Sequence, residues 1–410
     1  MDLPPPATVA DVIADGAVAQ ADLDAVLAGA SGTVTGVEYS GPQPTDPAED
    51  ALVDVRAHFS RSGSVPLRGV RVAVIRAGRW TWLTRRGADF PVPELSGAWP
   101  AADDLLRAAR TLLGNVPVLL APHSDGSTSV VAVDVPASTS DTRTAVLNGV
   151  AALDEALDAE RALIGFAAAR GLGIERTSFG VEYSDGVAVE IVDGRVVDIR
   201  GGASLAEVRA DAVYTSEEHQ LLLSGMFPQA QLQPDLRTGL GRLSGSHGAG
   251  LEVRSEILGV IVDEEWVWAW ADPQLAGTPA AGPASVSARV RRFGGDNAIP
   301  AFVRPRTTLE LARADALVEA AKPVAGLWAH LTAPLTPTVT GVFLLDAPAL
   351  RLPGATEAAV RATLRTEAGR RVDQERAAVS YARFRRLPHR VADGVVHLQM
   401  PDTGNDVTVP

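Results

Sequence analysis

The sequence predicts an α+β protein made by tandem duplication. Two related halves, residues 1–204 and 205–410, each carry antiparallel β-strands backed by helices and are expected to pack as a pseudo-two-fold pair, the first copy being the more degenerate. Three observations lead there. Leu251 to Asp272 reads LEVRSEILGVIVDEEWVWAWAD: alternating apolar and charged residues, an apolar block, a turn at Asp263-Glu264-Glu265, then Trp266, Trp268 and Trp270. In an extended strand those indoles share one face, with Val267, Ala269 and Ala271 on the other. A weaker form, LRGVRVAVIRAGRWTWL, occupies Leu67 to Leu83 with Trp80 and Trp82. Finally, LLAPHSDGSTSVVAVDVPA and HLTAPLTPTVTGVFLLDAPA align with Pro122 on Pro334, Asp134 on Asp346 and Pro136 on Pro348. Each is followed by a helical stretch with Glu-Arg-Ala, at Glu160-Arg161-Ala162 and Glu375-Arg376-Ala377, and Phe166 then falls on Tyr381 and Leu172 on Leu387.

The elements follow in order. Val9, Val12, Ile13, Leu23, Val26 and Leu27 have helical spacing over 7–30. YSGPQPTDP is a loop, and Asp46-Pro47 opens an expected helix through about His58. The first tryptophan hairpin turns near Ala77-Gly78. A helix over 101–113 precedes a strand pair, 116–121 and 129–135, around His123-Ser124-Asp125-Gly126. Residues 141–170 read as one long amphipathic helix. Asp185-Gly186 and Asp193-Gly194 mark a meander of three short strands. Past Arg200-Gly201-Gly202-Ala203-Ser204, the proposed boundary, come a helix over 216–223, a strand over 236–243 and the main hairpin. A Pro/Gly/Ala loop from Asp272 to Pro283 leads to helices over 286–292 and 307–320. Strands over 324–332 and 338–345, a long helix over 356–384 and a strand over 394–399 close the chain.

Composition bounds the function. The chain has 410 residues, no Cys and a formal charge of −13. Absence of Cys removes thiolate catalysis, disulfides, Fe–S clusters and thiolate zinc sites. The acidic balance argues against general nucleic-acid binding. Lys322 is the sole lysine. The first arginine is Arg56, no apolar run follows the start, and no stretch approaches a membrane span. A cytoplasmic protein with no membrane partner is expected.

The step Ile257-Leu258-Gly259, a turn, then Trp266-Val267-Trp268-Ala269-Trp270-Ala271 resembles the signature strand of a family of uncharacterised actinobacterial proteins. In that family a Leu-Gly step precedes a Trp-x-Trp-x-Trp-Ala strand, with helices and a strand pair after it. The resemblance covers roughly residues 216–348. The first copy departs from it, with Leu83-Thr84 in place of a third indole and Arg68-Gly69 in place of Leu-Gly. The family implies an architecture and no activity.

Two groups of residues are binding candidates. Trp266, Trp268 and Trp270 are either core, worth on the order of 15 kcal/mol of gross burial at ~25 cal/mol per Å², or an aromatic wall for a ligand. Glu357 to Arg390 holds nine Arg against four acids, a net of +5, whereas Asp141 to Arg170 has three against five, a net of −2. The basic stretch, centred on Arg383, Arg385, Arg386 and Arg390, is either a solvated face or the receptor for an acidic protein partner. Gly239 to Gly250 lacks the following helix and the Gly-Lys-Ser/Thr ending of a phosphate cradle. Ser246-His247 lacks a nucleophile-elbow frame. Glu217-Glu218-His219, Asp125, Asp134 and the Asp263-Glu264-Glu265 turn have no converging partners or metal spacing, so no catalytic residue, metal or cofactor is assigned. The expectation is a non-catalytic binding or adaptor protein recognising a protein partner or small ligand. The alternative is a hydrolase-like enzyme with a site in a cleft between the halves. A distant third is nucleic-acid binding through the arginine-rich helix.

Overall fold

A computed structural model describes residues 3–46, 48–135, 140–246 and 250–409. Pro47, Pro136 and His247 lie outside the described residues. The chain divides into two compact units, Met1–Arg200 and Gly201–Pro410.

Unit 1 begins with α1 (Val9–Ser31), started by a capping box in which Thr8 and Asp11 satisfy each other's backbone N–H groups. Then come β1 (Val34–Ser40), β2 (Ala51–Phe59), β3 (Gly63–Arg76), β4 (Arg79–Trp82) and β5 (Ala98–Pro100). Helix α2 (Asp103–Leu112) leads to β6 (Val118–Pro122) and β7 (Thr128–Val133). Helices α3 (Thr142–Ala152) and α4 (Ala159–Arg170) precede a four-stranded meander of β8 (Ile174–Arg176), β9 (Gly180–Tyr183), β10 (Ala188–Val192) and β11 (Arg195–Ile199). The first sheet runs β1-β2-β3-β4-β5, with β7 on the other edge of β3 and β6 beyond it. Because β1 also lies against β6, the sheet curls into a barrel-like form. Val53, Val55, Ala57, Leu67, Val131 and Val133 fill its inside. Trp80 and Trp82 face the helices, packing with Val12, Ile13, Leu105 and Ala108.

Unit 2 repeats this order with α5 (Leu205–Met226), again capped by a box, Ser204 with Glu207. It is followed by β12 (Gln231–Asp235), β13 (Leu240–Ser244), β14 (Leu251–Val262) and β15 (Glu265–Trp268). Helices α6 (Val286–Asn297) and α7 (Pro300–Val303) are an insertion before β16 (Arg306–Thr308) and α8 (Leu309–Ala314). Then come α9 (Leu317–Ala325), β17 (Ala329–Pro334), β18 (Val339–Asp346), α10 (Glu357–Leu364) and α11 (Gln374–Arg385). A three-stranded sheet, β19 (His389–Ala392), β20 (Val395–Gln399) and β21 (Asp406–Val409), closes the unit. The large sheet has the same connectivity as before: β12-β13-β14-β15-β16, with β18 on the other edge of β14 and β17 beyond.

The strand register of the two units matches residue for residue, as a duplicated module would. Strand β3 carries a bulge between Arg71 and Ala73 where it pairs with β7, and β14 carries one between Ile257 and Gly259 where it pairs with β18. The Leu258-Gly259 step is therefore matched by Val72-Ala73, not by Arg68-Gly69 as letter alignment suggests, since a bulge adds a residue on one strand alone. Trp82 then pairs with Ala73 as Trp268 pairs with Gly259. Gly259 is required there: a Cβ would sit 2.6 Å from the Trp266 ring.

Four expectations fail for local reasons. The helix expected up to His58 is β2, whose Val53, Val55 and Ala57 are buried with a period of two. The helix over 141–170 breaks because Leu153 is extended and Asp158 caps a new start by accepting from Arg161 N–H. The helix over 356–384 breaks likewise, with Asp373 capping α11. Residues 307–320 are split by Ala316, which is left-handed at φ 47°. Helix α5 is longer than expected, because Leu205 and Val208 are buried as well as the later turns.

Candidate functional site

The first two indoles of the tryptophan row are core. Trp266 and Trp268 are buried in the layer between sheet and helices, while Val267 and Ala269 enter the barrel-side core. Their rings meet edge to face at 5.2 Å, as Trp80 and Trp82 do at 5.0 Å. Trp268 Nε1–H donates to Ala301 O at 3.1 Å, and Trp82 Nε1–H to Glu94 O at 2.8 Å. Trp270 does not continue the row, because the strand ends at Trp268 and the chain turns. Its half-buried ring instead carries the guanidinium of Arg291, 4.2 Å from its centre.

The four arginines of the basic stretch have separate roles. Arg390, beyond the helix, pairs with Asp406 at 3.2 Å. Arg383 is exposed on α11. Arg385 is buried and ion-paired to Glu218 at 3.1 Å, with Tyr381 Oη donating to the same carboxylate at 2.9 Å. Burial raises the Glu218 pKa against the opposing pull of Arg385. This pair has a twin: Arg170 of α4 meets Asp22 of α1 at 2.7 Å. A second twin joins the same helices, Arg161 to Asp15 and Arg376 to Asp211. The Glu-Arg-Ala motifs thus mark a structural clamp between the first helix of each copy and its last, not chemistry.

Arg385 and Arg386 also line a cleft of about 800 Å³ in unit 2. Its walls are His219 of α5, the segment Gly326–Ala329 entering β17, the chain from Leu345 to Gly354, and the end of α11. Arg386 ends α11 in a left-handed conformation, φ 56°, which turns the chain out of the helix. Trp328 lies against Phe384 at 5.0 Å and stacks on His219 at 6.0 Å. Phe384 is 44 % exposed. His219 Nδ1 lies 2.8 Å from Thr215 O, and burial drops its pKa to about 4, so the imidazole is neutral at pH 7. The charges facing the cleft are Asp346 and three guanidiniums; Arg385 is committed to Glu218, while Arg351 and Arg386 are exposed and make no ion pair among the described residues.

Behind this wall lies a buried polar cluster that the sequence did not reveal. Lys322 donates to Ser216 Oγ at 2.5 Å, and burial lowers its pKa to about 8 against the attraction of Glu319 and Glu217. The imidazole of His330 is held at about 3 by burial and by Lys322. Lys322 and Ser216 are 0 % and 2 % exposed, so the hydroxyl cannot meet a substrate. Lys322 occupies on α9 the place of Arg110 on α2, which bridges to Asp24 of α1. The solitary lysine of the sequence is the one signal for this site. Among the described residues no group of His, Asp and Glu could hold a metal ion, and no helix is long and apolar enough to cross a membrane.

Fold and cleft together define a duplicated α+β protein whose second copy carries a cationic, aromatic-walled cleft. Residues 206–348 of that copy match a family of unknown function (DUF6882). The match covers the tryptophan hairpin, His219, the Gly326–Ala329 segment and the start of the Leu345–Gly354 wall, and stops before Arg351 and α11. No curated protein and no solved structure matches the chain.

Proposed function

We propose that the chain is a non-catalytic binding or adaptor protein, and that the unit 2 cleft receives an acidic segment of a protein partner. The observation that carries this reading is the pairing, in one cleft of about 800 Å³, of two exposed guanidiniums without acidic partners among the described residues and a partly exposed phenylalanine ring beside Trp328. Its size falls within the ~300–1,000 Å³ of ligand pockets. Arginine forks grip carboxylates bidentately, and an exposed aromatic supplies apolar contact at low entropic cost. A hydrolase reading is disfavoured because Ser216 is sealed and His219 is tied to Thr215 O. Nucleic-acid binding is disfavoured by the chain's charge of −13.

Fluorescence anisotropy with a labelled Glu-rich peptide containing one Phe tests this. The full chain should bind it, Arg351→Glu with Arg386→Glu should abolish binding, and Arg383→Glu, outside the cleft, should retain it. No binding by the wild-type chain, or equal binding by the double reversal, removes the reading.

A further inference from the structure

The two barrels differ at one place in a concerted way. Position for position, unit 1 has Arg71, His123 and Ser129 where unit 2 has Ile257, Leu335 and Gly341, as the shared bulges and the Pro122/Pro334 strand ends show. In unit 2 the set is apolar and packed: Ile257 and Leu335 belong to one core with Phe343, and a Cβ on Gly341 would strike Phe343 and Leu335. In unit 1 the set is polar. His123 Nε2 lies 2.8 Å from Ser129 Oγ, and the His123 ring meets Tyr39 edge-on at 4.8 Å. Arg71 is 0 % exposed.

That arginine makes no ion pair with an acid among the described residues. Its Nη1 donates to Pro42 O at 3.2 Å and Gln43 O at 2.8 Å, and its Nη2 to Asp46 O at 2.7 Å, all in the loop that crosses from β1 to β2. Its Nε–H is buried with no acceptor among the described residues. Burying a cation against neutral carbonyls with one donor unmet is costly, whereas a charged acceptor gives hydrogen bonds about twice as strong. A single apolar residue fills the same position in the sister copy, so the fold does not need a charge there.

We propose that unit 1 holds an anion-binding site at its barrel mouth. A carboxylate or phosphate group takes the Arg71 guanidinium, with His123 and Ser129 as neutral hydrogen-bond partners and the 42–46 loop moving aside from the carbonyl contacts it now makes.

The test titrates the full chain with inorganic phosphate and, separately, acetate, against sodium chloride at equal ionic strength. Tm and the His123 imidazole proton signal, assigned by His123→Leu, are followed. One anion should raise Tm saturably and move that signal; phosphate alone points to a phosphate-bearing ligand and acetate alone to a carboxylate-bearing one. Arg71→Ile, the residue the second copy tolerates, should lose both responses, while Arg351→Ala with Arg386→Ala keeps them, which separates this site from the unit 2 cleft. Should Arg71→Ile fail to fold, Arg71→Lys should bind roughly tenfold more weakly, having lost the fork. No saturable response to either anion, or an undiminished response in these Arg71 variants, overturns the proposal.

Discussion

The two units share their scaffold in detail and diverge where polar groups are buried. Both keep a capping box on the first helix, a bulge ahead of an edge-to-face tryptophan pair, and two arginine clamps from last helix to first. What changes is the content of matched buried positions. Unit 1 puts Arg71, His123 and Ser129 at its barrel mouth, where unit 2 is apolar. Unit 2 puts Lys322 and Ser216 between α5 and α9, where unit 1 has Arg110 and Gln20. A duplicated frame tolerates such exchange because geometry is held by the shared clamps. The copy that looked degenerate by its missing indole is thus the one that buries a guanidinium against backbone carbonyls at its barrel mouth.

The comparison is sharpest at the tryptophans. Trp268→Ala and Trp82→Ala should each cost about 3–5 kcal/mol, since both leave a large cavity between sheet and helices. Each should raise hydrogen exchange in its own unit. Equal protection loss in both units on either substitution would break the idea of two separate cores.

Lys322 separates the units by pH. Its folded pKa of about 8 lies below the ordinary 10.5. Below pH 8 both states hold the proton; above it the unfolded chain still does and the folded chain does not, so stability rises with pH. The full shift is worth about 3 kcal/mol, and most of it should appear between pH 8 and 10 in denaturant unfolding of the second unit. Above that the buried phenols of Tyr214 and Tyr381, whose pKa values burial raises, pull the other way. Lys322→Met should flatten the rise. The first unit, with Arg110 at that place, should not show it.

The smallest effect concerns helix approach. A Cβ on Gly165 would lie 2.2 Å from Asp15 O, whereas Ser380, at the matching place on α11, donates to Asp211 O at 3.2 Å. Gly165→Ala should cost about 1–3 kcal/mol through overpacking, and Ser380→Ala about 1 kcal/mol through the lost hydrogen bond. Thermal unfolding of the two variants distinguishes them; a harmless Gly165→Ala would show that the two helix pairs do not differ in closeness.

Much of the frame was legible in the letters. Hairpin turns were announced by Asp-Gly pairs, tryptophan alternation by period two, and duplication by the Pro…Asp spacing and the Glu-Arg-Ala repeats. Helix breaks were not, because Asp158 and Asp373 cap new starts inside stretches whose apolar spacing still reads as helical. Of the basic stretch, Arg385 and Arg386 reach the cleft, yet Trp328, Phe384 and Arg351 were missed, since they come from segments far apart in the chain.

Local pattern by itself decided which segments are strand or helix and which faces turn inward, because burial of apolar side chains follows the period of the backbone. Tertiary structure alone decided which charges are spent and which are free. Arg385 and Arg386 are neighbours of one kind in sequence, but Glu218, brought in by α5, neutralises the first and leaves the second facing solvent. A side chain's charge is written in its chemistry; its partner is set by which helix folds back against it.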